Sequence, residues 1–326
     1  MYAIEERLVK LNTQLEQARN DLKSKLNSKQ ISYPQNATLR QLISLIPLYT
    51  ITSIDLYASL SAHTSVNISD SAVMFCGGYN NIQKLYDINN NTFTSKQNYP
   101  NTIKEHAGAK WDNAIYYCGG YNGSTTTNKT YAYNIQSNTF TQKINVPHNI
   151  AYHTFVSTNR YLLLSGGNKA VSEDSRSQYT YDVASNSYIT RANMLQSSDH
   201  ISTAHIKNEQ VLINGGNDSH NQNLNYIYDM TANSTTQKIN LSVARAHHKS
   251  LKISDNLILI NGGNVSASNT TQIFNVNANT FTNKKTPPRT WFNHTLSKVK
   301  NDFLISGDGN NKQYVYSYER DTYVSS

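Results

Sequence analysis

The sequence predicts an all-β protein built from six repeated units, with a short helical segment before them. Three observations support this prediction. A glycine doublet recurs along the chain, an apolar run precedes each doublet, and two large residues follow it at a fixed spacing from each other. A regular period of about 20–50 residues indicates one supersecondary unit repeated in series.

The glycine doublets follow one another at steps of 42, 47, 49, 47 and 45 residues. They are Gly77-Gly78, Gly119-Gly120, Gly166-Gly167, Gly215-Gly216 and Gly262-Gly263, with a degenerate sixth copy at Gly307-Asp308-Gly309. Glycine permits positive φ, and its missing side chain lets another backbone or ring approach closely. We therefore expect each doublet to end a strand at a crowded position.

A pair of large residues, always seven positions apart, follows each doublet. The first members are Tyr86, Tyr133, Tyr181, Tyr228, Phe274 and Tyr316, and the second members are Phe93, Phe140, Tyr188, Thr235 (the exception), Phe281 and Tyr323. The distance from the first glycine to the first large residue varies from 9 to 15 residues. Each unit thus contains one loop of variable length, and such loops on a rigid scaffold are frequent sites of binding.

Each unit is predicted to contain four short strands, rich in the Tyr, Phe, Val, Ile and Thr that strands favour. An Asn-rich corner such as Asn89-Asn90-Asn91 separates the third strand from the fourth, since asparagine tolerates left-handed backbone. Asp87, Asp182 and Asp229 recur beside these corners and are interpreted as structural hydrogen-bond acceptors. Six such units stacked radially form a propeller. Either residues 50–55 or Asp321–Ser326 could supply the last strand of the ring.

The pattern of Gly-Gly, tyrosine and a distal aromatic residue resembles the kelch repeat, whose period is about 50 residues. The resemblance covers roughly residues 60–326, although kelch units usually carry tryptophan at the distal position and this chain carries Phe or Tyr. It implies a six-bladed kelch-like β-propeller over residues 51–326.

Residues 1–50 are predicted to form a separate helical stalk. Apolar residues there alternate steps of four and three, which is typical of a coiled-coil seam: Ile4, Leu8, Leu11, Leu15, Ala18 and Leu22. A helix of about three heptads is marginal alone. We therefore expect a homo-oligomer, for instance a trimer, through Ile4, Leu8, Leu11, Leu15 and Leu22; the alternative is packing of the seam on the chain's own propeller. A second short helix is predicted over residues 39–46.

The charged heptad helix, the linker and the segment Ala-Thr-Leu-Arg-Gln-Leu-Ile-Ser-Leu-Ile-Pro over residues 37–47 resemble the N-terminal segments of tail-associated proteins from phages of Gram-positive bacteria. The resemblance implies that residues 1–50 join the propeller to other tail or baseplate proteins. It places the protein in a virion or a phage tail-like bacteriocin particle that assembles in the bacterial cytoplasm.

Bulk composition excludes several classes of function. The net charge of +8 is spread without a Lys/Arg cluster, so no nucleic-acid partner is expected. The sequence contains no run of about 18 apolar residues, which is the length that a membrane span needs. The N-terminus lacks the apolar core of a signal peptide. Cys76 and Cys118 are expected to be buried free thiols.

Histidines recur shortly before the first strand of each unit: His63, His106, His153, His200, His248 and His294. One interpretation is an axial metal or anion site. The preferred one is structural contact with the neighbouring blade, because no carboxylate recurs beside them as a second shell would require. Motifs such as Gly-x-Ser-x-Gly and His-Glu-x-x-His are missing. We therefore expect no metal, no cofactor and no enzymatic activity.

The loops and turns around the predicted propeller mouth combine amides, hydroxyls and aromatic rings. The candidate ligand-binding residues of this rim are Tyr79, Tyr99, Tyr121, Asn122, Tyr152, Asn168, Asn217, Asn264 and Trp291. Rings can cover the apolar faces of sugars while amides bond the hydroxyls. The sequence thus predicts a non-enzymatic tail-fibre or baseplate component that binds a host cell-surface polysaccharide. The alternatives are a glycan-acting enzyme that uses the axial face, and a purely architectural or protein-binding kelch scaffold.

Overall fold

The computed structural model describes residues 2–28, 35–36, 38, 61–169, 175–217, 222–264, 269–307 and 313–325. The chain divides into two compact units, Met1–Ile51 and Thr52–Ser326. The first unit contains helix α1 (Tyr2–Ser28), and the second contains the sheets. Within the described ranges, no helix combines the length and apolarity needed to cross a membrane.

Helix α1 runs for 27 residues and ends at Ser28. Lys25 lies in its last turn, where a cation interacts favourably with the helix dipole, and Lys23 donates from Nζ to the Gln35 carbonyl over 2.7 Å. Leu15 on the predicted seam is 46% exposed. The side chains of Ile4, Leu8 and Leu11 and the predicted helix over residues 39–46 lie outside the described residues, so the coiled coil stays a prediction.

The second unit is a β-propeller of six four-stranded antiparallel blades, as predicted. Blade one contains β1 (His63–Ser69), β2 (Ala72–Gly77), β3 (Gln83–Asp87) and β4 (Thr92–Ser95). Blade two contains β5 (Ala107–Trp111), β6 (Ala114–Cys118), β9 (Thr130–Asn134) and β10 (Thr139–Lys143), with the small hairpin β7 (Tyr121–Asn122) and β8 (Thr125–Thr126) between β6 and β9. Blade three contains β12 (Thr154–Ser157), β13 (Leu162–Ser165), β15 (Gln178–Asp182) and β16 (Ser187–Thr190), beside a separate pair formed by β11 (Ile150–Ala151) and β14 (Asn168–Lys169).

The remaining three blades repeat the same order. Blade four contains β17 (Ser202–His205), β18 (Gln210–Asn214), β19 (Asn225–Asp229) and β20 (Ser234–Gln237). Blade five contains β21 (Lys249–Ser254), β22 (Leu257–Asn261), β23 (Thr271–Asn275) and β24 (Thr280–Asn283). Blade six contains β25 (His294–Val299), β26 (Asp302–Gly307), β27 (Tyr314–Ser317) and β28 (Thr322–Ser325). The first strand of each blade contacts the first strands of both neighbours, so these six strands surround the propeller axis.

Within the described ranges, the ring closes between blades one and six without exchange of a strand. The C-terminal strand β28 completes blade six by pairing with β27. The last strand of this blade therefore comes from the predicted segment Asp321–Ser326. The other predicted segment, residues 50–55, lies outside the described part of the chain. Hydrogen bonds from β1 to β25 hold the junction: His63 Nε2 lies 3.1 Å from Thr295 Oγ1, and the Ser65 and Ser297 hydroxyls are 2.9 Å apart. Further along, the Asn67 amide bonds both backbone groups of Lys298.

The seven-residue spacing has a simple structural cause. In all six blades the two residues lie directly opposite each other on the third and fourth strands, for example Tyr86 opposite Phe93. In the five aromatic pairs the ring centroids are 4.8–5.0 Å apart. The pairs pack in the apolar layers between adjacent blades, and Cys76 and Cys118 are buried free thiols there, as predicted.

The corner between the third and fourth strands bears a residue at positive φ: Asn91, Asn138, Asn186, Asn233, Asn279 or Asp321. In blades two to six its side-chain oxygen accepts a backbone N–H from the preceding blade. Asp87, Asp182 and Asp229 stand just before these corners and accept backbone N–H groups within the turn. The interpretation of these three carboxylates as structural is confirmed.

Candidate ligand site at the axial mouth

Six residues, one from each blade, surround the axis on the side of the variable loops. They are Ala62, Glu105, Tyr152, His200, His247 and Asn293, and we call them the axial ring. Each has positive φ, between 52° and 59°. Because of this left-handed backbone, the N–H groups of Glu105, Tyr152, His200 and His247 each donate to the carbonyl of the preceding member, over 2.9–3.2 Å.

Five of the six recurring histidines occupy the position just after the axial ring. His63, His106, His153, His248 and His294 are buried between blades. Each of the last four packs its ring against the first glycine of the preceding doublet; a Cβ on Gly119, for instance, would lie 2.5 Å from Cε1 of His153. Burial lowers the pKa of His63, His106 and His153 to about 3. The rings therefore act as neutral packing groups.

His200 does not belong to that set, which corrects the sequence-based assignment. In blade four, Ile201 takes the buried place, since it packs on Gly166, and His200 lies one residue earlier in the axial ring. The six histidines therefore do not form one ring. No group of three His, Cys, Asp or Glu side chains within the described ranges lies close enough together to hold a metal ion.

The axial ring opens into a cavity of about 240 Å³ along the propeller axis. Lys249, at the start of β21, lines it together with Glu105. These two residues belong to blades five and two, which are opposite each other in a six-bladed ring. Burial raises the pKa of the Glu105 carboxyl, an effect that the neighbouring side chains of His200 and Lys249 partly oppose. Burial likewise lowers the pKa of Lys249, and Glu105 opposes that shift.

The side chains of blades three to six continue along one side of the mouth. The His200 ring packs at a tilt against Tyr152, at a centroid distance of 4.1 Å, and against His247 at 3.6 Å. Asp199 Oδ1 lies 2.8 Å from Nδ1 of His200, and Asn293 bonds Nδ1 of His247. Burial, followed by the charge of His200, lowers the pKa of His247 to about 4, so the His247 imidazole is neutral at pH 7.

A row of rings leads from this cavity outward to the rim. Tyr152 packs edge-on against Tyr121 with centroids 5.6 Å apart, and Nζ of Lys104 lies 5.5 Å from the Tyr121 ring and 4.3 Å from the Tyr79 ring. Burial and the Glu105 charge raise the pKa of Tyr152 to about 12, so its hydroxyl remains a donor. Tyr79 is 62% exposed at φ 69°, a conformation that bulky residues rarely adopt. We call Tyr79, Lys104, Tyr121 and Tyr152 the aromatic row.

The structure divides the predicted rim residues into three groups. Tyr79, Tyr121 and Tyr152 come together in the aromatic row. Asn122, Asn168, Asn217 and Asn264 are exposed at the starts of the variable loops, large parts of which lie outside the described residues. Tyr99 and Trp291 are wrong as rim residues, because they are only 2% and 0% exposed. The Tyr99 ring packs on His106 and Tyr117, and Trp291 packs on Tyr314, so both fill gaps between blades.

Sequence reasoning missed Lys104, Glu105, His247 and Lys249 and assigned no role to Asp199. Alignment of the repeats on the glycine doublets would have placed His200 and His247 fifteen residues before the first glycine and Glu105 fourteen residues before it, so these positions agree to within one residue. The side-chain types differ from blade to blade at these positions, so a search for recurring residue types passes over them.

Comparison with known proteins agrees with this architecture. A family profile described as Kelch motif matches residues 104–143. Blade two carries a Kelch motif. The chain is also similar to a solved structure described as "Structure of YjhT", with a TM-score of 0.71 and 12% identity over 83% of this chain and 99% of that one. At that identity the likeness shows the fold alone, and 950 solved chains match, so architecture does not select a ligand. No curated protein sequence matches significantly.

Proposed function

We propose that the propeller binds a carbohydrate at the axial mouth, as the non-enzymatic receptor-binding component of a phage tail or tail-like bacteriocin. The observation that carries this proposal is the aromatic row, which runs from the exposed Tyr79 to the cavity edge at Tyr152. Ligand sites are typically concave and lined by rings with a few placed polar groups. Lys104, Glu105 and Lys249 supply those polar groups here.

The chemistry of the row favours a sugar over a purely apolar ligand. Tyrosine offers an apolar face and a polar edge, which suits the alternating C–H and hydroxyl surfaces of a pyranose. The cavity also contains one carboxyl, one ammonium and neutral donors and acceptors such as Asn293. An apolar ligand would leave these buried polar groups unpaired, at a cost of about 1–3 kcal/mol each.

In this proposal residues 1–50 attach the propeller to other tail or baseplate proteins. Helix α1 has 27 residues and so spans about 40 Å at 1.5 Å per residue. Its seam residue Leu15 is 46% exposed and is available to a partner helix. Self-association through this seam would bring several propellers together, and simultaneous contacts raise overall avidity without new contacts in each site.

Retention of the purified protein on host cell walls and on a glycan array tests the binding proposal. We expect Tyr79→Ala and Tyr121→Ala to reduce binding at least tenfold. The control is Tyr161→Ala, since Tyr161 lies in the turn between β12 and β13 on the opposite face of the propeller. Absence of retention for the unaltered protein would favour an architectural or protein-binding scaffold instead.

Mass photometry tests the stalk proposal separately. Leu15→Lys should shift the protein to monomers, because a charge in an apolar seam is costly to bury. Asn20→Lys introduces the same charge five residues along the same helix, at a heptad position outside the seam, and should leave the oligomer intact. Equal masses for the two variants would remove the seam from the proposal.

The contact between Asp199 and His200 favours a second candidate, a glycan-acting enzyme. A carboxylate on one imidazole nitrogen orients the ring so that the other nitrogen can act as a general base. Mass spectrometry of a retained glycan distinguishes the candidates. The enzyme is favoured if the unaltered protein cleaves the glycan and His200→Asn still retains the glycan without cleaving it. The binding component is favoured if the unaltered protein retains the glycan unchanged.

A further inference from the structure

The opposite end of the propeller contains a second cavity, of about 370 Å³. Its lining includes Asn67, Asp70, Lys110, Lys252 and Lys298. These residues lie at the ends of first strands or in the turns that follow them. In an antiparallel blade those turns are on the opposite face from the loops that join the second and third strands. The cavity is therefore distinct from the axial mouth.

Three lysines converge on this cavity because they occupy equivalent positions in their blades. Lys110, Lys252 and Lys298 each stand four residues after the buried histidine of their blade, which is His106, His248 or His294. We call these three lysines the basic mouth. Blade one has Asn67 at the same position, and its amide bonds the backbone of Lys298, which fixes the strand beside the cavity.

The charges of the basic mouth are incompletely balanced within the described part of the chain. Lys252 forms a 2.7 Å ion pair with Asp255, whose carboxylate is 73% exposed, and Lys298 Nζ donates to the Ile253 carbonyl over 3.3 Å. Lys110 has neither a hydrogen-bond nor an ion-pair partner among the described side chains. Asp70 is the one carboxylate in the lining, and its side chain is exposed, so the cavity wall carries a net positive charge.

We propose that the basic mouth binds a phosphate group, either free or carried on a polymer. Like charges held near one another in a partly desolvated cavity repel, and a multiply charged oxyanion relieves that repulsion while accepting a hydrogen bond from each ammonium group. Lysine is well suited to this role, since its ammonium group is a compact charge with three N–H donors. It binds phosphate without the planar geometry that an arginine side chain imposes. The site is independent of the carbohydrate proposal, because it shares no residue with the aromatic row.

Isothermal titration of the full-length protein at low ionic strength tests the proposal with two probes, inorganic phosphate and a poly(glycerol phosphate) oligomer. We expect binding of at least one probe, with an affinity that falls as NaCl is added. Binding of inorganic phosphate alone would identify the ligand as a free ion, and tighter binding of the oligomer would identify a polymer-borne phosphate.

Two variants and two controls locate the site. Lys110→Gln and Lys298→Gln should each weaken phosphate binding about tenfold, which corresponds to the loss of one charge-assisted hydrogen bond. Lys143→Gln makes the same change on β10, the outer strand of blade two, and should bind as the unaltered protein does. Tyr79→Ala should also retain phosphate binding, so the two proposals fail separately. No heat with either probe, or unchanged affinity in both basic-mouth variants, would overturn the inference.

Discussion

The Tyr133 hydroxyl donates to Oδ1 of Asn138 over 2.8 Å, and the same oxygen accepts the backbone N–H of Gln97 in the preceding blade, also over 2.8 Å. One side-chain oxygen thus ties the third strand of blade two to the end of blade one. Blades three, four and six repeat this arrangement. Blade five lacks the hydroxyl because Phe274 replaces the tyrosine.

Asn138→Ala should lower the free energy of unfolding by about 3–4 kcal/mol. The substitution removes two hydrogen bonds, each worth about 1 kcal/mol, and places alanine at φ 57°, which costs about 1–2 kcal/mol. Asn279→Ala in blade five is the matched control, since it removes only the bond from the Ile239 N–H. Urea unfolding should show a loss about 1 kcal/mol smaller for the control; equal losses would show that the tyrosine bond contributes nothing.

Gly119→Ala should destabilise the propeller by about 3 kcal/mol or more. A Cβ there would lie 2.5 Å from Cε1 of His153 and 2.6 Å from the Ile150 carbonyl oxygen, and overpacking of this kind adds about 1–3 kcal/mol to the backbone cost. Gly123 has a similar φ of 76° with nothing within 4 Å, so Gly123→Ala isolates the backbone cost of about 1–2 kcal/mol. Thermal unfolding of both variants measures the difference, and similar melting temperatures would refute the crowding argument.

Thr235→Phe should stabilise the protein. Thr235 lies opposite Tyr228, where the other five blades stack an aromatic ring at 4.8–5.0 Å, and such a pair is worth about 0.5–1.5 kcal/mol beyond its buried area. Phe281→Thr in blade five makes the reverse change and should destabilise. Chemical denaturation measures both, and a loss of stability in Thr235→Phe would show that blade four cannot accommodate a ring.

His106→Ile should make the propeller less sensitive to acid. The pKa of His106 falls from 6.5 to about 3 on burial, so its folded state resists protonation; stability is present above pH 6.5 and declines by about 1.4 kcal/mol per pH unit as the pH falls toward 3. Isoleucine is the residue that blade four uses at this place, and the variant should therefore fold. The melting temperature, measured from pH 7.5 to 4.5, should fall less steeply in the variant than in the unaltered protein. An equal fall in both proteins would contradict the assignment of His106 as a buried, neutral ring.

Glu105→Gln should raise the melting temperature at pH 7 and have no such effect near pH 4. Burial raises the pKa of Glu105 in the folded state, so the unaltered protein loses stability as the pH rises from the ordinary carboxyl range through that higher value. Glutamine carries no charge and avoids the loss. The result would show that a residue of the axial mouth is retained at a cost to stability, as binding residues frequently are; a lower melting temperature at pH 7 would contradict it.

The repeat itself was predictable because its signals are local. Strand pairs opposite each other at a spacing of seven, turn asparagines and glycine doublets all lie within one blade, so the chain records them directly. Burial of Tyr99 and Trp291 was not predictable in this way, since both rings fill gaps that arise only when two blades pack together.

The axial mouth was only partly predictable. His200 was assigned wrongly because it matches the other recurring histidines in residue type but lies one residue before their structural position. Ile201 occupies that buried position in blade four. Glu105 and Lys249 lie far apart in the sequence and face the same cavity only after the ring has closed. Tyr79, Tyr121 and Tyr152 were found because they stand beside a glycine doublet or a recurring histidine.

The closure between blades one and six has an evolutionary consequence. Because β25–β28 form their sheet from one continuous stretch of chain, every sector of the circle corresponds to a single uninterrupted stretch of coding DNA. In-frame duplication, loss or exchange of one such cassette would split no sheet between distant parts of the gene. Recombination can therefore replace one blade at a time, a route that rings closed by an exchanged strand do not offer at the blade that joins their ends.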